Sequence, residues 1–174
     1  LLVVGTISAI AGALVALAQV DLKRAFSYST TSYLGLVFIA LALGQPGIAL
    51  LLLLSHGLAK ALLFMSVGSV IATTNCQDLT ELGGLGSRMP ATTLAYLVAS
   101  AGLVGLLPLG SYWCFGLGVQ ALWSQSPFFA GVILLTNLLT AINLTRVYRV
   151  VFLGSAKPKT KRAPEVNWLM ALPM

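Results

Sequence analysis

The sequence predicts an all-α polytopic membrane protein, and three observations predict it. Of its 174 residues 58% are hydrophobic, and only 8% are charged where soluble domains carry about 25%. Mean hydropathy is +0.96, so the chain lacks the polar surface to stay in water. The apolar residues also fall into runs close to the ~20 residues a helix needs to cross hydrocarbon. In lipid each backbone N–H and C=O must be satisfied within its own segment, which favours helices.

The runs follow in order. The first is Leu1 to Val20, where Ser8, Gly12 and Ala16 recur every four residues and suggest close helix packing. The second is Ala25 to Leu43, entered through an unbroken hydroxyl series, Ser27, Tyr28, Ser29, Thr30, Thr31, Ser32 and Tyr33. The third is Gly47 to Thr74. The fourth, Ala91 to about Trp123, contains Leu107, Pro108, Leu109, Gly110 and Ser111. Proline removes a donor and glycine relaxes the backbone, so this helix is expected to be broken near 107–111 in mid-membrane. Its second half is too short to be a span of its own. Pro127 to Leu153 is the fifth run, and another begins at Asn167. The first residue is not Met, there is no signal peptide, and the last residues are apolar. The chain is therefore expected to be a single membrane domain, 1–174, within a larger bundle.

Nine of the ten Lys and Arg residues lie between these runs or at or after the end of the fifth: Lys23, Arg24, Arg88, Arg146, Arg149, Lys157, Lys159, Lys161 and Arg162. The connections Gly44 to Gly47 and Ser124 to Ser126 carry no charge. By the positive-inside rule the basic connections are cytoplasmic, provided that Ala91 to Trp123 crosses once. The net charge of +6 does not indicate nucleic acid, because the cations flank membrane runs without interleaved aromatics. The Lys157 to Arg162 cluster reads either as a topology anchor or as a dock for anionic lipid or an acidic partner. Cys76 and Cys114 fall on different levels and match no metal site. The glycines Gly83, Gly84 and Gly86 lack the strand context of a phosphate loop and read as turn residues.

The tenth cation is Lys60, near the middle of the third run, ~20 Å from either end and too deep to reach water easily. A cation at that depth costs ~2.5 kcal/mol or more. His56, the sole histidine, lies four residues earlier on the same helix face. Burial disfavours a charged amine, and imidazole titrates near physiological pH, so the pair has the chemistry of a proton relay. The plainer alternative is a lysine satisfied by a neighbouring carbonyl or carboxylate, with His56 as a packing hydrogen-bonder. No Asp or Glu lies inside any run. Ser32, Tyr33 and Ser55 are candidate members of a proton path, as is Cys114. The hydroxyl series could equally cap its helix and bond to neighbours. Thr136, Asn137, Thr140 and Asn143 form a polar stripe suited to inter-helix hydrogen bonds.

Three segments carry a family resemblance: Asp21-Leu-Lys-Arg-Ala-Phe-Ser-Tyr-Ser-Thr, Ser55-His-Gly-Leu-Ala-Lys-Ala-Leu-Leu-Phe-Met and Gly83-Gly-Leu-Gly-Ser-Arg-Met-Pro. In this order and spacing the chain resembles the antiporter-like subunit 5 of complex I, the NdhF type, over nearly its whole length. The resemblance implies a fold of 14 or more helices with two inverted repeats, a broken helix in each, and buried lysines and histidines that move protons. Lys60 would be the central lysine of the second half-channel and His56 its relay partner. No cofactor is implied in this chain, and iron-sulfur clusters and quinone are expected in other subunits of the complex. Other membrane-arm subunits, especially another antiporter-like one, and lipid are the implied partners.

Two departures matter. Pumping members carry a lysine in a Gly-Phe-Phe-Ser-Lys-Asp-Glu type stretch after the break, where Gly110-Ser-Tyr-Trp-Cys114 places Cys114 here. Many members also have a second histidine where this chain has Leu52. Both losses remove ionisable groups from the outward half of the path. With Ser27-Tyr-Ser-Thr-Thr-Ser-Tyr33 and Leu106-Leu-Pro-Leu-Gly110, the pattern looks most like variant subunits of cyanobacterial photosynthetic complex I dedicated to CO2 uptake. That resemblance implies a thylakoid location and a cytoplasmic, carbonic-anhydrase-like CO2-hydrating partner. The alternatives are a subunit of a cation/proton antiporter, or mainly a membrane anchor for the CO2-hydrating protein.

Overall fold

In a computed structural model of the chain, residues 1–106, 110–161, 163–167 and 171 are described, without the side chains of Ser124 and Gln125. Six α-helices carry the architecture: α1 Leu2–Ala18, α2 Leu22–Ala42, α3 Pro46–Thr74, α4 Pro90–Val104, α5 Gly110–Gln125 and α6 Pro127–Tyr148. α2, α3 and the α6 stretch to Leu153 are each long and apolar enough to cross a membrane.

α1 and α2 form the tightest pair. A Cβ on Gly35 would lie 2.5 Å from the Ala9 nitrogen, and one on Gly12 would lie 2.7 Å from the Ser32 nitrogen. Glycine is what lets these backbones approach. The buried α1 residues are Gly5, Ala9, Gly12, Ala13 and Ala16, so the packing stripe keeps the expected Gly12 and Ala16 but runs through Ala9 instead of Ser8. α2 begins three residues before the apolar run, because Asp21 caps it by accepting from the Arg24 N–H at 2.9 Å.

α3 starts on Pro46, which suits the first helical turn, and ends where Asn75 turns left-handed at φ 52°. The fourth run is two helices. α4 stops at Val104 with Gly105 at φ 83°, a conformation glycine adopts without a Cβ penalty. Of the expected break, Leu107, Pro108 and Leu109 lie outside the described residues. The two helices together traverse the bundle once: Thr73, at the end of α3, bonds to Met89 just before α4, and Gly118 of α5 lies by Ile48 at the start of α3.

The connections at the charged end are stitched together. α6 continues into a π-helical turn, Arg149–Leu153, whose last carbonyls have no donor left within the helix because it ends there. The Leu85 and Gly86 N–H groups donate to those of Val151 and Phe152, at 3.2 and 2.9 Å. Gly83, Gly84 and Gly86 are thus close-approach residues as well as turn residues, since a Cβ at each would fall within 2.9 Å of backbone in the 152–156 segment. The Glu165 carboxylate accepts from the Ala91 N–H at 2.8 Å and the Thr92 hydroxyl at 2.7 Å. It supplies negative charge at the α4 N-terminus. Lys159 pairs with Glu81, and Lys157 donates to the Thr80 carbonyl. Of the run expected from Asn167, residues 168–170 and 172–174 lie outside the described residues, as does Arg162.

Candidate functional site

The centre of α3 presents Ser55, His56 and Lys60 to α2 and α5, and all three are buried. A helix turn separates Lys60 from His56, so the two project at successive depths. The Lys60 ammonium donates to the Phe26 carbonyl at 3.1 Å and lies 5.2 Å from the Phe26 ring centre and 6.0 Å from that of Phe64. Aromatic faces attract a cation within about 6 Å, so rings and one carbonyl replace water around it. The Thr30 hydroxyl bonds to the same carbonyl at 3.1 Å. Phe26 is four residues into α2, which points the ammonium toward the charged end of the bundle.

His56 faces the other way along α3. Its ring stacks on Tyr33 with centroids 4.1 Å apart, and neither ring nitrogen has a hydrogen-bond partner among the described residues. Beyond it the Tyr33 hydroxyl faces Ser111, Cys114 and Ser55 without closing a bond of ordinary geometry, and the Ser111 hydroxyl likewise has no partner among the described residues. The Ser55 hydroxyl lies 3.5 Å from the Cys114 sulfur. Buried polar groups without partners cost about 1–3 kcal/mol each. Among the described residues His56, Tyr33 and Ser111 are such groups, and they share one track with Lys60, Ser55 and Cys114, which do have partners. Gly110 holds the far end together, because a Cβ there would come within 2.6 Å of Ser55 Cβ. A cavity of about 330 Å3 between α3, α4 and α5 opens beside Ser55 and Ser111.

The sequence-predicted residues divide in consequence. Tyr33, Ser55 and Cys114 join His56 and Lys60. Ser32 does not, because its hydroxyl donates to the Ala9 carbonyl at 2.6 Å and belongs to the α1–α2 contact. Ser27, Thr30 and Thr31 bond back to carbonyls of their own helix, the capping and packing role that was the alternative for the hydroxyl series. On α6, Thr136 and Thr140 also bond back within the helix. The Asn137 amide instead reaches the Val104 carbonyl at 3.1 Å and satisfies an orphan acceptor at the end of α4. Ser111 and the Phe26 carbonyl were not singled out from sequence. A serine directly after Gly110 at a predicted break was the available signal for the first, and no residue-type signal exists for the second.

A broken helix packed on a helix with a mid-depth histidine and lysine defines an antiporter-like membrane subunit. The chain belongs to the NADH:quinone oxidoreductase/Mrp antiporter transmembrane family, whose model matches residues 1–140. It is 70% identical over 174 residues, all of this chain and 28% of the relative, to NAD(P)H-quinone oxidoreductase subunit 5, organellar chromatophore 2, of Paulinella chromatophora. With the chloroplastic NAD(P)H-quinone oxidoreductase subunit 5 of Citrus sinensis it shares 37% identity over 87% of this chain and 22% of that one. The likeness to subunit 5 expected from the motifs is thereby borne out. The chain spans about a quarter of the length of these relatives. In fold it is similar to a chain of the membrane-bound sulfane sulfur reductase, an archaeal respiratory membrane complex. The TM-score is 0.89 at 24% identity, over 97% of this chain and 28% of that one. A chain of the Mrp complex from Dietzia sp. DQ12-45-1b matches with a TM-score of 0.85 at 22% identity, over 90% of this chain and 30% of that one.

Proposed function

We propose that this chain forms a proton half-channel in an antiporter-like subunit of a photosynthetic complex I, an NAD(P)H- or ferredoxin-quinone oxidoreductase in a thylakoid-type membrane. The observation that carries the reading is Lys60: a buried cation held by one carbonyl and two rings, one turn from a histidine whose two nitrogens have no partner among the described residues. Such a lysine holds a proton at mid-depth, and His56 receives it because neutral imidazole can accept and donate at its two nitrogens. Tyr33 fixes the His56 ring by stacking, and Ser55 and Ser111 offer hydroxyls at the break. The chain's part is proton movement, while iron-sulfur clusters and quinone in other subunits handle electrons.

Within that reading we infer coupling to CO2 uptake. Cys114 stands where pumping members of the resembled family carry a lysine, and a thiol cannot hold positive charge there. Protons drawn inward from CO2 hydration by a carbonic-anhydrase-like partner at the charged face fit a path whose outward end lacks that cation. The test is purification of the complete complex from its native membrane. Co-purification of iron-sulfur subunits with a CO2-hydrating protein, and loss of CO2 uptake when the gene for this subunit is deleted, are the expected results. Recovery in an assembly without redox subunits that exchanges cations for protons would replace this reading with the antiporter one. Iron-sulfur subunits without a CO2-hydrating protein would remove only the CO2 coupling.

A further inference from the structure

We propose that the groove at the charged end of α6 binds an anionic phospholipid. The groove encloses about 650 Å3 and is lined by Ile142, Arg146, Arg149, Val150, Ser155 and Lys157 among others. A second hollow of about 350 Å3 shares Arg146, Val150 and Lys157 with it. From Pro127 to Arg146 a helix rises ~28 Å, close to the ~30 Å hydrocarbon thickness. The three cations therefore stand at headgroup depth if α6 crosses the membrane.

Each cation has capacity left for a phosphate. One Arg146 nitrogen donates to the Gln19 carbonyl at 2.7 Å and to the Asn143 side-chain oxygen at 3.4 Å, while its Nε is buried without a partner among the described residues. Arg149 is exposed and has no partner among the described residues. The Lys157 ammonium donates to the Thr80 carbonyl, and an ammonium has two further N–H groups. Of the neighbouring acids, Asp78 acts on Lys157 from outside the groove, and Glu81 is paired with Lys159. Among the described residues no carboxylate lines the groove.

The occupant is a lipid and not an acidic peptide because of what adjoins the cations. Leu138, 57% exposed, and Ile142, 48% exposed, continue the same α6 face at four-residue spacing into the hydrocarbon layer. An acyl chain covers such a strip, whereas a polar peptide does not enter that layer. Anionic headgroups gain from each nearby basic side chain, about five-fold in affinity per cation.

The test is native mass spectrometry of the complete, delipidated complex titrated with phosphatidylglycerol, with phosphatidylcholine and with inorganic phosphate. Arg149→Gln with Lys157→Gln is the chosen variant, because Arg146 also ties α6 to α1. The wild-type complex is expected to retain one phosphatidylglycerol that the variant binds roughly 25-fold more weakly, with no matching phosphatidylcholine site. Equal binding by wild type and variant would overturn the proposal. So would full competition by inorganic phosphate, or cross-linking of Arg149→Cys to an acidic segment of another subunit. If the double variant fails to assemble, Arg149→Gln alone must show about a five-fold weakening.

Discussion

Lys60 stays buried because one carbonyl and two aromatic faces stand in for water, yet two of its three N–H groups lack a hydrogen-bond partner among the described residues. That surplus separates it from a purely structural lysine. His56→Leu should leave the complex assembled and slow proton transfer less completely than removal of the lysine, since ordered water replaces a relay ring more readily than a charge-holding site. Proton-coupled turnover of the purified complex measures it, and an unchanged rate would take His56 out of the path. Cys114→Ala should barely alter activity, because the Cys114 contact to Ser55 is 3.5 Å long and a thiol carries no positive charge. Abolished activity in an assembled Cys114→Ala complex would make the thiol part of the working path. The pair His56 and Lys60 was legible from sequence because ionisable residues are rare in apolar runs and a four-residue spacing fixes a shared face. The acceptor on Lys60 was not, because a backbone carbonyl made available by tertiary packing has no residue type of its own. Ser32 misled for a related reason: adjacent hydroxyls on a helix point to different neighbours.

At the scale of elements, the apolar runs gave the helices, and local chemistry moved their ends. The Asp21 cap starts α2 early, and Glu165, far along the chain, supplies the acceptor at the α4 N-terminus. The π turn after Tyr148 was not legible, since hydropathy does not distinguish one helical period from another over five residues. The break depends on two contacts that can be removed separately. Asn137→Leu leaves the Val104 carbonyl without its partner and should cost about 1–3 kcal/mol. Gly110→Ala drives a methyl toward Ser55 and should cost a similar ~1–3 kcal/mol. Thermal inactivation of the assembled complex reports both, and an unshifted midpoint in the two variants would mean that the break is not held by these contacts. At the charged face, Lys159 and then the Cys76 thiol hold the Glu81 carboxyl below the usual carboxylate range, and Glu81 raises Lys159. The Glu81 contribution is present above its unfolded value, ~4.3, and lost as pH falls through its lower folded value. The Lys159 contribution is present below ~10.4 and lost as pH rises through its higher folded value. Hydrogen-exchange protection of 157–161 should therefore hold from about pH 5 to 9. Loss of protection within that window would break the assignment.

For the whole molecule, the alternation of charged and uncharged connections requires that α4 and α5 together make one crossing, and their contacts with opposite ends of α3 fit that requirement. Its sidedness is tested by thiol labelling. In the basic connection Thr160 is fully buried and bonds to the Gly83 carbonyl, so the exposed residue beside it is the better reporter. Lys161→Cys, at an exposed position, should label with an impermeant reagent only from the cytoplasmic side. Gly47→Cys, with open space around its Cβ, should label only from the other. Labelling of both from one face would undo the single-crossing topology and the depth assigned to Lys60. The proposed proton path depends on Lys60 as the proton-holding site. Its most direct test is proton translocation per electron in vesicles carrying the complete complex, wild type against Lys60→Met. Methionine keeps the volume of the stem and removes a buried charge, so assembly should survive. The assembled Lys60→Met complex is expected still to pass electrons to quinone and to move markedly fewer protons per electron; an unchanged ratio would mean that Lys60 does not hold the transferred proton.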